Sequence, residues 1–161
     1  MSWIAIKTMK KNAFTLIELL VVISVLGVLV AVMLPNLVGV RARARDSAKK
    51  NDLRQLKAAI RMYYNDFQSY PQDDDNGNIV ACGVDGSLTC PNEDGGFAID
   101  DDVYMKEMIA NDQFDYVQLT QGEDFLLSAV LENASDSDIA DSVDHCNVAA
   151  PVASTYYICA D

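Results

Sequence analysis

One stretch decides what this chain can fold into. FTLIELLVVISVLGVLVAVML, from Phe14 to Leu34, is 21 residues with a single charge, Glu18, and two hydroxyls, Thr15 and Ser24. As a helix rising ~1.5 Å per residue it reaches about 30 Å, enough to cross a bilayer. A cleaved secretory signal has a shorter apolar core, about 7–15 residues, with a small-residue cleavage site after it. Ala31 and Gly39 would serve that purpose only loosely, and the run is too long. A plain anchor fits the length but leaves Glu18 unexplained, because a carboxylate in a spanning helix costs on the order of 3 kcal/mol and usually marks a functional partner. Its place near the start of the segment softens that cost, since a shallow side chain reaches the interface.

Charge is divided as sharply as hydropathy. Of 24 acids only Glu18, Asp46 and Asp52 precede residue 62, and of 12 bases only Lys106 follows it. Residues 1–61 therefore carry +8 and residues 62–161 carry −20, within a formal net charge of −12. That balance argues against nucleic acid as a partner, and a chain that is 50% hydrophobic is not disordered. One histidine, no nucleophile with a base at recognisable spacing and no Gly-rich phosphate loop leave catalysis unsupported, so the chain reads as a non-enzyme.

Beyond Pro35 the helical pattern resumes. Leu53, Leu56, Ile60, Tyr63 or Tyr64, and Phe67 fall three or four apart on one face, with Arg54, Lys57 and Arg61 opposite. From Phe14 to about Asp66 this predicts one long helix, apolar all round in its first half and amphipathic in its second, with a bend where Pro35 removes a backbone bond. Pro71 and the polar turn formers after it end the helix.

Lys10-Lys11-Asn12-Ala13 followed by FTLIELLVVISVLGVLVAVMLPNL resembles the class III signal of type IV pilins and pseudopilins. The resemblance implies a leader, residues 1–13, and a prepilin peptidase that cuts between Ala13 and Phe14 on the cytoplasmic side and methylates the new amine of Phe14. It implies that Glu18 is the family's acidic residue a turn into the helix, and that Pro35 is the proline that kinks it. Residues 14–35 would then be the transmembrane and assembly helix, 36–67 its amphipathic continuation, and 68–161 the head. Ala13 stands where the family almost always has Gly, so slower cleavage is expected. The run KAAIRMYYNDFQSYP is similar to the corresponding stretch of the major pseudopilins of type II secretion and of related Gram-positive and uncultured-lineage pilins.

What the resemblance implies for function is a structural subunit of a type IV pilus or pseudopilus, polymerised through its N-terminal helix and serving protein secretion, adhesion and motility, or DNA uptake. Its partners would be copies of itself in a helical filament, the prepilin peptidase, an inner-membrane assembly platform, and membrane lipid before assembly. In the fibre the Glu18 carboxylate would pair with the N-methylated amine of a neighbouring Phe14, in surroundings so apolar that an unpaired charge is expensive. The competing reading from another class is a single-pass, membrane-anchored extracytoplasmic binding module with an acidic head.

Orientation divides the signals. Lys7, Lys10 and Lys11 precede the apolar run, while Arg41, Arg43, Arg45, Lys49 and Lys50 follow it, a count that places the second flank in the cytoplasm. Against it stand the leader, which must face a cytoplasmic peptidase, and four cysteines in the C-terminal half that suit an oxidising compartment. Together they place the head outside, on a single-pass protein of the cytoplasmic membrane that then enters the fibre. Residues 41–61 sum to +6. They read either as a solvated helix face or as a stem complementary to the acidic domain of another subunit.

The head predicts an α+β fold, a small antiparallel sheet packed on the outer half of the long helix. Asp73 to Asn78 reads as a turn before Ile79-Val80, Tyr104 to Asp112 as a short helix, Phe125 to Leu131 as a strand before a loop rich in Asp and Ser, and Tyr156 to Cys159 as the last strand. Four cysteines allow three pairings. Cys82 with Cys90 and Cys146 with Cys159 is the favoured one, since each bridge closes a short loop. Zinc finds little support without a Cys-x-x-Cys and with His145 the single imidazole. Calcium has two candidate places. Asp74 and Asn76 match part of an EF-hand-type loop, but Gln72 stands at its first position and Gly83 where the closing carboxylate belongs. Asp136 and Asp138 lead a second acidic cluster with Asp141 and Asp144, near the C-terminus, where the resembling pseudopilins have acidic calcium-binding loops. A plain solvated acidic loop is the competing reading at both places, and no other cofactor is expected.

Overall fold

The computed structural model describes residues 14–74 and 76–160, with 34–38 described by backbone alone. The first helix, α1, is Leu16–Phe67, 52 residues. Contacts divide the chain into two units, Met1–Gly39 and Val40–Asp161. Within the first, every side chain from Phe14 to Met33 is exposed, and the window Leu16–Met33 has a mean hydropathy of 2.9. Ser24 donates its hydroxyl to the carbonyl of Leu20 at 2.7 Å, so this polar side chain is satisfied inside the helix. Pro35 falls inside α1; its side chain, and the bend expected there, lie outside the described residues.

The second unit is an α+β head built on the outer half of α1. Leu53, Leu56, Ala59 and Ile60 are buried at helical spacing, and the strands close over them. Three small antiparallel sheets follow. The first orders β1 (Gln72–Asp73), β2 (Ile79–Cys82) and β3 (Leu88–Thr89). The second pairs β4 (Phe97–Ile99) with β5 (Asp102–Met105). In the third, β7 (Asp124–Val130) lies between β6 (Asp115–Leu119) and β8 (Thr155–Cys159), Leu127 standing opposite both Tyr116 and Ile158. Along β7 the alternate residues Phe125, Leu127 and Ala129 are buried, the period of a sheet with one face on a core. A second helix, α2 (Ser137–His145), lies between β7 and β8.

Helix α1 stops where Gln68 turns left-handed, at φ 54°. The amide of Tyr70 then donates to the carbonyl of Gly122 at 2.8 Å. Gly122 has φ 94°, and a Cβ there would collide with the Ser69 hydroxyl, so this junction needs glycine. Phe67, expected on the buried face, is half exposed and stacks on Tyr63 with ring centroids 4.5 Å apart.

Two expectations are corrected. Tyr104 to Asp112 is not a helix: its start belongs to β5, and the only helical turn is a 3-10 turn at Asn111–Gln113. The run holds helix formers such as Met105, Lys106 and Glu107, but pairing of Val103 with Ala98 and packing of Tyr104 on Phe97 override that preference. The Asp- and Ser-rich loop contains α2, which Asp136 caps by accepting from the amide of Asp138 at 3.0 Å. Disulfides join Cys82 to Cys90 and Cys146 to Cys159. The first ties β2 to the residue after β3, and the second ties the end of α2 to β8. Loops this short are each worth roughly 2–3 kcal/mol in chain-entropy terms.

Candidate functional site

The start of α1 is built by two side chains. Thr15 precedes the helix, and Glu18 stands three residues on. The Glu18 carboxylate accepts from the amide of Thr15 at 3.2 Å and from its hydroxyl at 3.0 Å, while the amide of Glu18 donates to the Thr15 hydroxyl at 3.3 Å. This is a reciprocal capping box, and the pattern T-x-x-E before an apolar run is its sequence signature. It places the one acid of the segment at the positive end of the helix, one turn from Phe14, where a carboxylate is favoured by the helix dipole. Phe14 itself is 78% exposed. Ala13 lies outside the described residues. The arrangement can present a carboxylate beside the place where an amine at Phe14 would stand, at the head of a helix with no polar face.

The outer half of α1 holds the head by a clasp of side chains that sequence reading did not anticipate. Asp46 is fully buried and accepts from two backbone amides just after β7, Glu132 at 2.8 Å and Asn133 at 2.9 Å. Arg45 makes a two-pronged pair with Glu132 at 2.7 and 2.6 Å, and Lys49 donates to the carbonyl of Val130 at 3.0 Å. Lys50, also buried, bridges Asp136 at 3.0 Å and Asp138 at 2.7 Å. Arg54 reaches the Tyr156 hydroxyl at 3.5 Å. Arg45 and Lys50 therefore meet carboxylates, and Lys49 a backbone carbonyl, inside a single chain.

These pairs set how the clasp responds to pH. Hydrogen bonding to Lys50 holds the Asp136 carboxyl below its ordinary range, and hydrogen bonding to Arg45 does the same for Glu132. Burial opposes the charge on Lys50, but its bonds to Asp138 and Asp136 win and its pKa is raised. A depressed carboxylate contributes stability above its unfolded value and loses it as pH falls through the folded one, whereas a raised lysine loses its contribution as pH climbs through its folded value. Thermal midpoints of the full chain are expected to be flat between roughly pH 5 and 9 and to fall on both sides.

The calcium candidates are engaged otherwise. Asp136 and Asp138 face an ammonium. The Asp74 carboxylate accepts from the amides of Asn76 and Asn78 at 2.9 and 2.8 Å and from the Asn78 side chain at 2.8 Å, closing the turn between β1 and β2. Among the described residues no group of three or more His, Cys, Asp or Glu side chains is placed to hold a metal ion. One cleft, of about 610 Å³, is open and of mixed charge, with Arg54, Lys57, Asp138, Asp141 and His145 on its walls.

Residues 8–34 match the model of the prokaryotic N-terminal methylation motif. The chain is 33% identical over 61 residues to the type IV major pilin protein PilA of Myxococcus xanthus, covering 38% of this chain and 28% of that protein. It is 40% identical over 62 residues to the type II secretion system core protein G of Klebsiella pneumoniae (38% and 44%), and 37% over 68 residues to that of Vibrio cholerae (42% and 47%). The chain thus spans between 28% and 47% of the length of these relatives. No solved structure matches it significantly.

Proposed function

We propose that this chain is a structural subunit of a type IV pilus or pseudopilus, inserted as a precursor, cut between Ala13 and Phe14, methylated on Phe14 and polymerised through α1. The observation that carries the proposal is the segment Phe14–Met33, exposed on every side, with its one acid held at the helix start inside a prepilin motif. Such a surface has two stable surroundings, lipid hydrocarbon and a bundle of its own kind. Leu, Val and Ile side chains supply packing without direction, so register must come from a polar contact. Glu18 supplies it by pairing with the amine of Phe14 on a neighbouring copy. The head stands outside the cytoplasm, where its two disulfides persist, and the chain is structural rather than catalytic. The segment at 57–71 and the similarity to core protein G favour the secretion pseudopilus among the fibres of this kind.

The intact mass of the chain extracted from its native membrane tests this reading. Loss of residues 1–13 with one added methyl is expected. An uncleaved amino terminus contradicts it and makes the chain a membrane-anchored module.

A further inference from the structure

We infer that the unit Val40–Asp161 is electrostatically two-ended and that copies meet end to end, Arg41 and Arg43 of one copy against the Asp100–Asp102 turn of the next. The inference rests on the filament reading and adds the contact that joins the heads.

At one end, Arg41 and Arg43 are exposed and make no hydrogen bond or ion pair with any described residue. Further along the helix Arg45, Lys49, Lys50 and Arg54 are all bonded within the chain. Two residues apart on a helix, Arg41 and Arg43 point to opposite sides. They form a basic collar reachable from more than one direction, as an array with several neighbours around each subunit requires.

At the other end, Asp100, Asp101 and Asp102 are all exposed, and their side chains make no hydrogen bond or ion pair among the described residues. Their position follows from the hairpin that carries them. The ring of Tyr63 meets those of Phe97 and Tyr104 at 5.8 and 5.7 Å, and the Tyr104 hydroxyl donates to Asp66 at 3.0 Å. The chain leaving β5 turns the opposite way, since Met105, Lys106 and Met108 share a cleft with Asp52 and Gln55. The β4–β5 turn therefore lies toward the Asp66 end of α1. From Arg43 to Asp66 the helix covers roughly 35 Å. A compact unit with a basic collar at one end and an acidic turn at the other has complementary surfaces that cannot close on themselves. Repetition of such a head-to-tail contact generates an open helical array, and opposite charges at exposed rims select register and partner and weaken with salt. Anionic lipid is the competing partner for arginines that follow an apolar segment.

Charge reversal in the full-length chain, expressed in its own host, tests the contact. The variants are R41E/R43E, D101K/D102K and the four combined, read as the amount of chain in sheared fibres against the membrane pool. Each reversal alone is expected to lower fibre incorporation about tenfold or more, and the combination to restore it to within about threefold of the unaltered chain. Thermal midpoints are expected to stay put, because none of these side chains makes a hydrogen bond or ion pair among the described residues; the neutral set R41Q/R43Q with D101N/D102N serves as a second probe and is expected to fall between. Fibres from the unaltered chain together with harmless reversals, or a combination no better than R41E/R43E, overturn the contact alone. Loss of R41E/R43E from the membrane before assembly, without rescue by the combination, assigns the arginines to lipid and overturns it too. An unaltered chain absent from fibres with its amino terminus uncleaved overturns the filament reading itself.

Discussion

Replacing Glu18 by Leu is expected to leave membrane insertion normal and to reduce the chain in fibres by about a hundredfold or more. An amine buried in an apolar bundle without its carboxylate costs about 3–5 kcal/mol, and each 1.4 kcal/mol is a factor of ten. The side chain also caps the helix that begins at Leu16, and loss of a cap costs only about 1 kcal/mol. Glu18→Gln separates the two roles, since glutamine serves in a capping box as well as glutamate but carries no charge. Failure of both variants to assemble identifies the charge as what matters. Normal fibres from Glu18→Gln would reduce Glu18 to a cap and remove the register contact from the account.

The largest single effect on the head is expected at Asp46. Replacement by alanine leaves the amides of Glu132 and Asn133 facing a buried gap, and an unsatisfied buried donor costs about 1–3 kcal/mol. Unfolding of the full chain in detergent is expected to show a loss of about 2–5 kcal/mol, a midpoint lower by roughly 10–20 °C for a head of this size. Asp46→Asn, which keeps one acceptor oxygen, is expected to fall between. A change below about 0.5 kcal/mol, the ordinary effect of a surface substitution, would mean that the clasp does not hold the loop.

What could be read from the sequence is what is local in the chain. A run of 21 residues with a single charge announces itself without reference to any distant residue, and so does the methylation motif around it. The amphipathic stretch from Leu53 to Ile60 was equally open to reading, because a 3.6-residue period reflects a helix lying on something apolar whatever that something is. The capping box was present as Thr15 and Glu18, three apart, but weighing Glu18 only as a charge in a membrane hid its first role. The clasp was not legible. Lys50 meets its carboxylates 86 and 88 residues away, and Asp46 its amides 86 and 87 residues away, so no local pattern distinguishes these two from the solvated residues around them. For the same reason the basic stretch reads as a surface for another molecule, although Arg45, Lys49, Lys50 and Arg54 are engaged within the chain itself. Strand β5 is masked by the helix formers Met105, Lys106 and Glu107 at and beyond its end, and only the pairing of Val103 and its neighbours with β4 marks it as a strand. Helix α2 is hidden although Asp136, Ile139 and Val143 spell a cap and an apolar stripe, because Asp136, Asp138, Asp141 and Asp144 give the run the composition of a solvated loop.

On the proposed reading one chain serves two surroundings, and its contacts fit both. The apolar segment carries no structure that commits it to lipid, so it can exchange lipid for other helices. The head is closed by bonds of its own, two disulfides, a buried aspartate and a buried lysine. The charge asymmetry of the sequence is in this sense a record of two kinds of bonding. Arg45, Lys49, Lys50 and Arg54 are matched within the chain, and Arg41 and Arg43 have no partner among the described residues.

The most direct measurement is the N-terminal residue of this chain in fibres sheared from the cell surface, or from the periplasmic face where a secretion pseudopilus would be held. The account predicts that the chain is the main component of those fibres and begins at N-methylated Phe14. Recovery of the chain only from membranes, beginning upstream of Ala13, would contradict it.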